Sequence, residues 1–319
     1  YSLGLAAEPK LFAEGVISTE DDEVNGSFNP DGTEYYFSKV AQFTTFPRLA
    51  VICVSRYASG KWSEPQVVSF SGKSLDLTPR FSPDGKTMYF SSSRPAAGKA
   101  AHVLRIWSVE RTAAGWGEPR DLPAPINASD TDWNWSASVT REGTMYFTST
   151  RGGAGVPHIF RSRSVNGLYQ EPEKLGPEIN SDYVEADPFI SPDEHFLIFS
   201  SSGTGPPQAL DRPETLKGGG VLYARGDLYA SENVNGVWSK ARHLEHGVNT
   251  TADESSPSIT PDGKYLFFSS ERSPFTVPTA HPMNYAEIET QLHSTLNGHG
   301  NIFFVSWDAL GWSAPKAGK

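Results

Sequence analysis

The residues best suited to chemistry recur in one place along the chain. Glu23, Asp76, Asn134, Glu185 and Glu254 each open a short apolar run ahead of a tight turn. Two residues further on stand Asn25, Thr78, Ser136, Asp187 and Ser256. If the runs surround an axis, four carboxylates in five seats, with Asp187 beside them, make a concentrated negative potential. Such a ring must bind a cation, raise some carboxyl pKa values, or pair with arginine. As hard oxygen ligands, Glu23, Asp76, Glu185 and Glu254 suit a divalent cation such as calcium on that axis. As an acid and base across a pocket, Glu185, Asp187, Glu254 and Glu23 suit glycosidic bond cleavage. As structural groups, the acids meet Arg94, Arg151 and Arg272, which follow Ser-Ser-Ser, Thr-Ser-Thr and Ser-Glu, while Arg80 lies on an inner run. Repetition in every unit favours the structural reading, since packing needs equivalent groups in each unit and catalysis does not.

The departures from the repeat point to function instead. The fourth unit has Glu185 and Asp187 but Gly203 where the arginine would stand. The third has Asn134 between Trp133 and Trp135. Trp133 can stack on a sugar, and it can equally fill a seam between units. Asp76, Asn134, Trp133, Arg80, Arg94, Arg151 and Arg272 are therefore the candidate ligand-binding residues.

These side chains need a scaffold, and the turns define it. They read Phe28-Asn-Pro-Asp-Gly32, Phe81-Ser-Pro-Asp-Gly85, Val139-Thr-Arg-Glu-Gly143, Ile190-Ser-Pro-Asp-Glu194 and Ile259-Thr-Pro-Asp-Gly263. Pro presets φ, Asp bonds the backbone, and Gly accepts φ > 0, so each reverses a strand. The third turn lacks Pro and Asp, and the fourth lacks Gly. After each turn comes an apolar pair and a hydroxyl, as in Tyr36-Phe37-Ser38 and Phe267-Phe268-Ser269. A third apolar run follows, then a fourth beginning near Gly-x-Trp, at Trp62, Trp116 and Trp238. Four short strands per unit of about 50 residues mark a propeller blade. The sequence predicts an all-β, five-bladed propeller of four-stranded antiparallel blades in a single domain. The blades span 21–74, 75–129, 130–181, 182–250 and 251–319. The N-terminal strand, 8–17, is expected to complete the last blade and close the ring.

Three second-to-third loops (39–48, 201–226 and 273–300) leave the same end, here called the top. The middle one carries Pro206-Pro207 and Gly218-Gly-Gly220. The last predicts a short lid helix capped by Asn284 with Glu287, with Ile288, Leu292 and Leu296 on one stripe. Glu289 and His293 on that helix can bind metal with His281 or His299, but a solvated face is the commoner use of such a pair. His158 reads as one member of a polar row with Arg105, Asp227 and Asn301.

Composition narrows the classes. The chain has 319 residues and a formal net charge of −10, with no basic run, which argues against binding a nucleic-acid backbone. No stretch is long and apolar enough to span a membrane. The one cysteine, Cys53, sits in an apolar run and reads as buried. Serine-hydrolase, zincin and phosphate-loop motifs are missing. The chain begins at Tyr1, as a processed or trimmed form would.

The Ser-Pro-Asp-Gly hairpins ending in Phe-Ser-Ser-x-Arg resemble the TolB-like β-propeller repeat family. Ile179-Asn-Ser181 with Glu185-x-x-Pro188, and Val248-Asn-Thr250 with Glu254-x-x-Pro257, look like its bacterial envelope variety. The resemblance spans essentially the whole chain. It implies a periplasmic or secreted bacterial protein that binds an envelope protein or a glycan. Members include scaffolds and polysaccharide-degrading enzymes, so the first expectation is a binding scaffold at the top funnel. A carbohydrate-active enzyme, hydrolase or lyase, using the carboxylates is the alternative. The family's acid before Pro matches Glu23 (with Gly26 in place of Pro), Asp76, Glu185 and Glu254, and fails at Asn134.

Overall fold

The turn chemistry sets the strand pairs. In the computed structural model, which describes residues 3–41, 49–96, 104–152, 155–202, 214–215, 221–222, 225–275 and 279–312, the Pro-Asp-Gly turns join inner strands to second strands. The inner strands are Asp22–Phe28, Asp76–Phe81, Asn134–Val139, Glu185–Ile190 and Glu254–Ile259. Each continues antiparallel through a second and a third strand, and five such sheets form a five-bladed propeller. The fourth turn works without glycine because Glu194 itself takes a left-handed φ of 59°. In the third turn Glu142 stands at the aspartate position, and Thr140, at the place of Ser82, accepts from Thr144 N–H at 3.0 Å as Ser82 does from Thr87.

The outer strands are more broken than the sequence suggests. At Trp62, Trp116 and Trp238 the fourth element opens as a two-residue hairpin arm on the third strand. It then resumes as a second short arm on the same strand at Gln66–Val67, Arg120–Asp121 and Arg242–His243. In the first two blades Pro65 and Pro119 fall in the gap, where the missing N–H removes a ladder bond.

The last blade takes its fourth strand from the other end of the chain. Lys10–Leu11 pairs antiparallel with Asn301–Ser306. The latch extends beyond these residues, because Phe12 N–H donates to Ile302 O at 2.9 Å and Ser306 N–H to Ala6 O at 2.8 Å.

The core is a set of seams. Five apolar clusters each combine side chains of two adjacent blades. This is why the second and third strands read as continuous apolar runs: both faces of each blade are covered. Cys53 is buried in one seam, and burial pushes its thiol up to about 11. Gly26 stands where other blades have Pro79, Ala137, Pro188 and Pro257. A Cβ there would lie 1.7 Å from Tyr35 Oη, so the Tyr35 ring has taken that space.

Of the loops expected at the top, residues 42–48 and most of 201–226, with Gly203, Pro206-Pro207 and Gly218-Gly-Gly220, lie outside the described residues. The helix forms at Tyr285–Leu292 with the expected Asn284–Glu287 capping box. Of its apolar stripe, Ile288 is 42% and Leu292 56% exposed, and only Leu296, beyond the helix, is half-buried against the core. Polar contacts hold the segment: His293 Nδ1 is 3.0 Å from Glu20, and Asn297 Nδ2 donates to Glu20 O at 2.8 Å.

Phe12 tests the latch. Its ring packs edge-on against Phe28, Tyr35, Trp62, Phe267 and Phe304, joining the first and last blades. Phe12→Ala is expected to cost about 3–5 kcal/mol in denaturant unfolding. A loss below about 1 kcal/mol would show that the ring holds without it.

Candidate functional site

The head of each inner strand is a sealed polar seat rather than an axial ligand. Glu23, Asp76, Asn134, Glu185 and Glu254 are all at most 1% exposed. Asp76 accepts from Ser71 Oγ at 2.7 Å, Ser92 Oγ at 2.6 Å and Arg94 Nη2 at 2.9 Å. Glu254 accepts from Thr250 N–H at 2.9 Å, Ser270 Oγ at 2.7 Å and Arg272 Nη2 at 3.4 Å. Glu23 takes Thr19 and Lys39, the latter at 3.1 Å. Asn134 Oδ1 accepts from Ser149 Oγ at 2.7 Å and Arg151 Nη2 at 3.3 Å. Glu185 takes Ser181, Ser201 and His158, whose Nδ1 is 2.9 Å away. His158 thus partners the acid in the blade whose repeat lacks the arginine.

The four carboxylates expected as a metal ring sit in four separate seats. Each carboxylate's oxygens are taken by the preceding connection and the second strand, together with Arg94, Arg272, Lys39 or His158. Among the described residues no group of three or more His, Cys, Asp and Glu can hold a metal ion. That covers the alternative of Glu289 and His293 with His281 or His299. The arginines are staples as well. Arg94, Arg151 and Arg272 also donate to carbonyls of Phe70, Ile126 and Val248 in the connection before the strand. Their guanidiniums lie over Phe90, Phe147 and Phe303 at 4.9, 5.1 and 4.6 Å.

Two residues along, every inner strand carries a β-bulge. Asn25, Thr78, Ser136, Asp187 and Ser256 sit there with φ between 52° and 59°. The hydroxyl ending the second strand explains how that geometry is held. Ser38, Ser91, Thr148 and Ser269 accept the N–H of Thr78, Ser136, Asp187 and Asn25 in the next blade, at 2.9–3.2 Å. The row is cross-linked from blade to blade. Asp187 accepts from Ser136 Oγ, and from Ser256 Oγ at 2.8 Å, while Ser256 Oγ accepts from Asn25 Nδ2. Asp187 is the single carboxylate in this row.

Arg80 lies on its inner strand, as expected. It lines a cavity among the turns, at the opposite end from the top. Its Nη1 and Nη2 donate to Gly26 O and Pro257 O at 3.2 and 2.6 Å, so it spans three blades. Burial lowers its pKa to about 10, and the Asp187 charge opposes that shift.

At the top, two acids that the repeat comparison passed over stand out. Asp253 is half-buried and accepts from Gly226 N–H at 2.6 Å. Burial pushes its carboxyl up to about 7, and the charges of Glu271, Asp187 and Glu254 add to the effect. Glu271 is raised too, first by burial and then by the Asp22 charge. The two are tied through Glu271 N–H donating to Asp253 O at 3.1 Å. In the other blades the Asp253 position holds Asp22, Leu75, Trp133 and Val184. Val40, Ser93, Thr150 and Ser202 occupy the Glu271 position. A departure from the repeat was the available signal. Trp133, half-buried, stands at this same level and is held by backbone bonding to Thr150.

No protein-family model matches the chain, and no curated protein sequence does. Solved structures match at low identity. An α-L-arabinofuranosidase from Lactobacillus brevis superposes with a TM-score of 0.51 at 14% identity, covering 92% of each chain. A Bacillus subtilis arabinanase gives 0.51 at 10% identity, over 95% of this chain and 99% of that one. A putative TolB from Agrobacterium tumefaciens gives 0.49 at 15% identity, over 90% and 91%. At these identities the likeness is one of fold: the chain shares the propeller of the arabinofuranosidase and the arabinanase.

Two measurements follow. Asn134 Nδ2 is buried without a partner while its Oδ1 meets Arg151. Asn134→Asp puts an acceptor in that place and is expected to stabilise by about 1 kcal/mol; a lower melting temperature would refute this. For Asp253, the folded pKa lies above the unfolded value of 3.8, at about 7. The folded state then holds the extra proton, so stability falls as pH rises through that window. Asp253→Asn should flatten this part of the pH–stability curve, and an unchanged slope would assign it to other groups.

Proposed function

We propose that the protein is a binding propeller that receives a hydroxyl-rich ligand, an envelope glycan, at its top mouth. The observation that carries this reading is the pair Asp253 and Glu271, joined by a backbone hydrogen bond where the repeat pattern breaks, with the charge of Asp187 acting on Asp253. A carboxyl near half-protonation at neutral pH both donates and accepts, which matches the two-way hydrogen bonding of a sugar hydroxyl. Trp133 at the same level offers an apolar face for a sugar ring. The staple role of the other acids and arginines leaves these groups as the chemistry peculiar to this chain. No described helix is long and apolar enough to cross a membrane, and the repeat chemistry supports an envelope or secreted setting.

A second reading rests on the same Asp253. A carboxyl held near 7 beside another carboxylate is the arrangement that divides general acid from base in glycoside hydrolysis. A soluble glycan panel separates the readings when both bound and released sugar are followed. A scaffold retains intact glycan, and Asp253→Asn weakens binding roughly tenfold, or about 1.4 kcal/mol. A hydrolase releases product, and the same variant abolishes release. If no glycan binds, both readings fall, and an envelope protein becomes the ligand to seek.

A further inference from the structure

An asparagine followed by glycine can modify itself, because glycine has no side chain to keep its amide nitrogen away from the asparagine Cγ. The chain holds four such pairs: Asn25-Gly26, Asn166-Gly167, Asn235-Gly236 and Asn297-Gly298. Valine precedes the asparagine in the first three, so local sequence scarcely separates them. The reaction needs an asparagine side chain free to swing and a glycine N–H free to give up its proton. The fold withholds one of these at three of the four pairs.

Asn25 is 8% exposed, and its Nδ2 donates to Ser256 Oγ in the axial row. Asn297 is half-buried. Its Nδ2 donates to Glu20 O and Leu292 O at 2.8 and 2.9 Å, and its Oδ1 accepts from His299 N–H at 3.0 Å. The other two pairs form the tips of matched hairpins on adjacent blades. Val165 pairs with Leu168, and Val234 with Val237, closing two-residue turns. Asn166 and Asn235 take φ of 52° and 55° there, and all four tip residues are exposed. The residue just before each turn makes the difference. In the fourth blade it is Asn233, whose Oδ1 accepts Gly236 N–H at 2.8 Å. In the third it is Ser164, and Gly167 N–H meets no acceptor among the described residues.

The supports of the two tips differ as well. Val234 belongs to the long third strand Asp227–Val234, so the fourth-blade tip extends its blade's own sheet. Ser164–Val165 and Leu168–Tyr169 instead form a two-stranded sheet by themselves, tied at the base by Gln170 N–H donating to Arg163 O at 2.9 Å. A hairpin of two strands is marginal in water. The third-blade tip can therefore leave its turn geometry while the ring stays folded.

We infer that Asn166-Gly167 is a site of spontaneous deamidation, selected over the other three pairs by its free Gly167 N–H and its separate hairpin. Gly167 N loses its proton and bonds to Asn166 Cγ. The Cγ–Nδ2 bond breaks, and Nδ2 leaves as ammonia with that proton. Water then opens the cyclic imide at either carbonyl. One opening gives aspartate, the other isoaspartate with the main chain routed through Cγ, and nothing is oxidised or reduced. Either product places a negative charge on the tip. Isoaspartate also lengthens the main chain within the short loop that sets the hairpin's register. The site does not depend on the reading of the top mouth.

The test incubates the intact protein at mildly alkaline pH, where the amide proton is lost more readily, and maps its peptides by mass spectrometry with aspartate and isoaspartate forms separated. Asn166 is expected to convert about tenfold faster than each of the other three, equivalent to about 1.4 kcal/mol on the barrier. In denaturant the four rates should converge. Equal rates for Asn166 and Asn235 in the folded protein overturn the proposal. A preference of the same size in denaturant also overturns it, by assigning the selection to flanking sequence. Asn233→Ala removes the acceptor of Gly236 and should raise the Asn235 rate severalfold while Asn166 is unchanged. No rise in a folded Asn233→Ala protein overturns the part given to the glycine N–H, and if that variant does not fold, the comparison of folded and denatured wild type decides alone.

Discussion

A carboxylate sealed from water has to be given donors, and in this ring the donors come from segments that must in any case be joined. The seat of Asp76 joins the preceding connection through Ser71, the second strand through Ser92, and the following loop through Arg94. Removing one member would strand a buried charge, which is far costlier than the pair's net contribution to stability. That asymmetry explains why the seats carry little information about ligands. Their role is to index each blade against the one before it, and Lys39 or His158 can stand in for arginine because only a donor of suitable charge and reach is required.

The second constraint is the narrow axis. Five bulges turn short polar residues into a left-handed backbone conformation, and hydroxyls from the neighbouring blades hold the N–H groups of four of them. The cross-linked row from Asn25 through Ser256 and Asp187 to Ser136 makes the blades one electrostatic unit. It lies between an acidic mouth containing Asp253 and Glu271 and a cationic one containing Arg80. Asp187 acts on both Asp253 and Arg80, so the two mouths share a charge even though they face opposite ways.

The fold was legible because repetition multiplies weak signals. One Ser-Pro-Asp-Gly says only that a chain turns, whereas five related turns at comparable spacing, each followed by an apolar pair and a hydroxyl, define blades. Even the closing role of the N-terminal segment could be read from its likeness to other fourth strands. The site was less legible for the same reason. Alignment of the repeats draws the eye to what recurs, and the recurring acids proved to be internal staples. Asp253 and Glu271 appear only as exceptions, and their raised pKa values arise from burial that no local pattern encodes. Arg80 was read on an inner strand, where it stands, and the bulge there adds a residue to that strand. Counting residues from the head of the strand does not reveal at which end of the channel such a side chain will emerge.

The latch of Lys10–Leu11 on Asn301–Ser306 also has a temporal meaning. On a ribosome the first of these strands emerges long before its partner, with all the blades synthesised between them. Throughout that interval Phe12 can meet Phe28, Tyr35 and Trp62 of the first blade, but Phe267 and Phe304 do not yet exist. The nascent chain therefore carries an open seam and unpaired strand edges, of the kind that invite wrong partners. Closure joins residues about as far apart as the sequence permits, the sort of contact that forms late and slowly. Until then every blade can be present without the ring, and both mouths of the channel remain unformed.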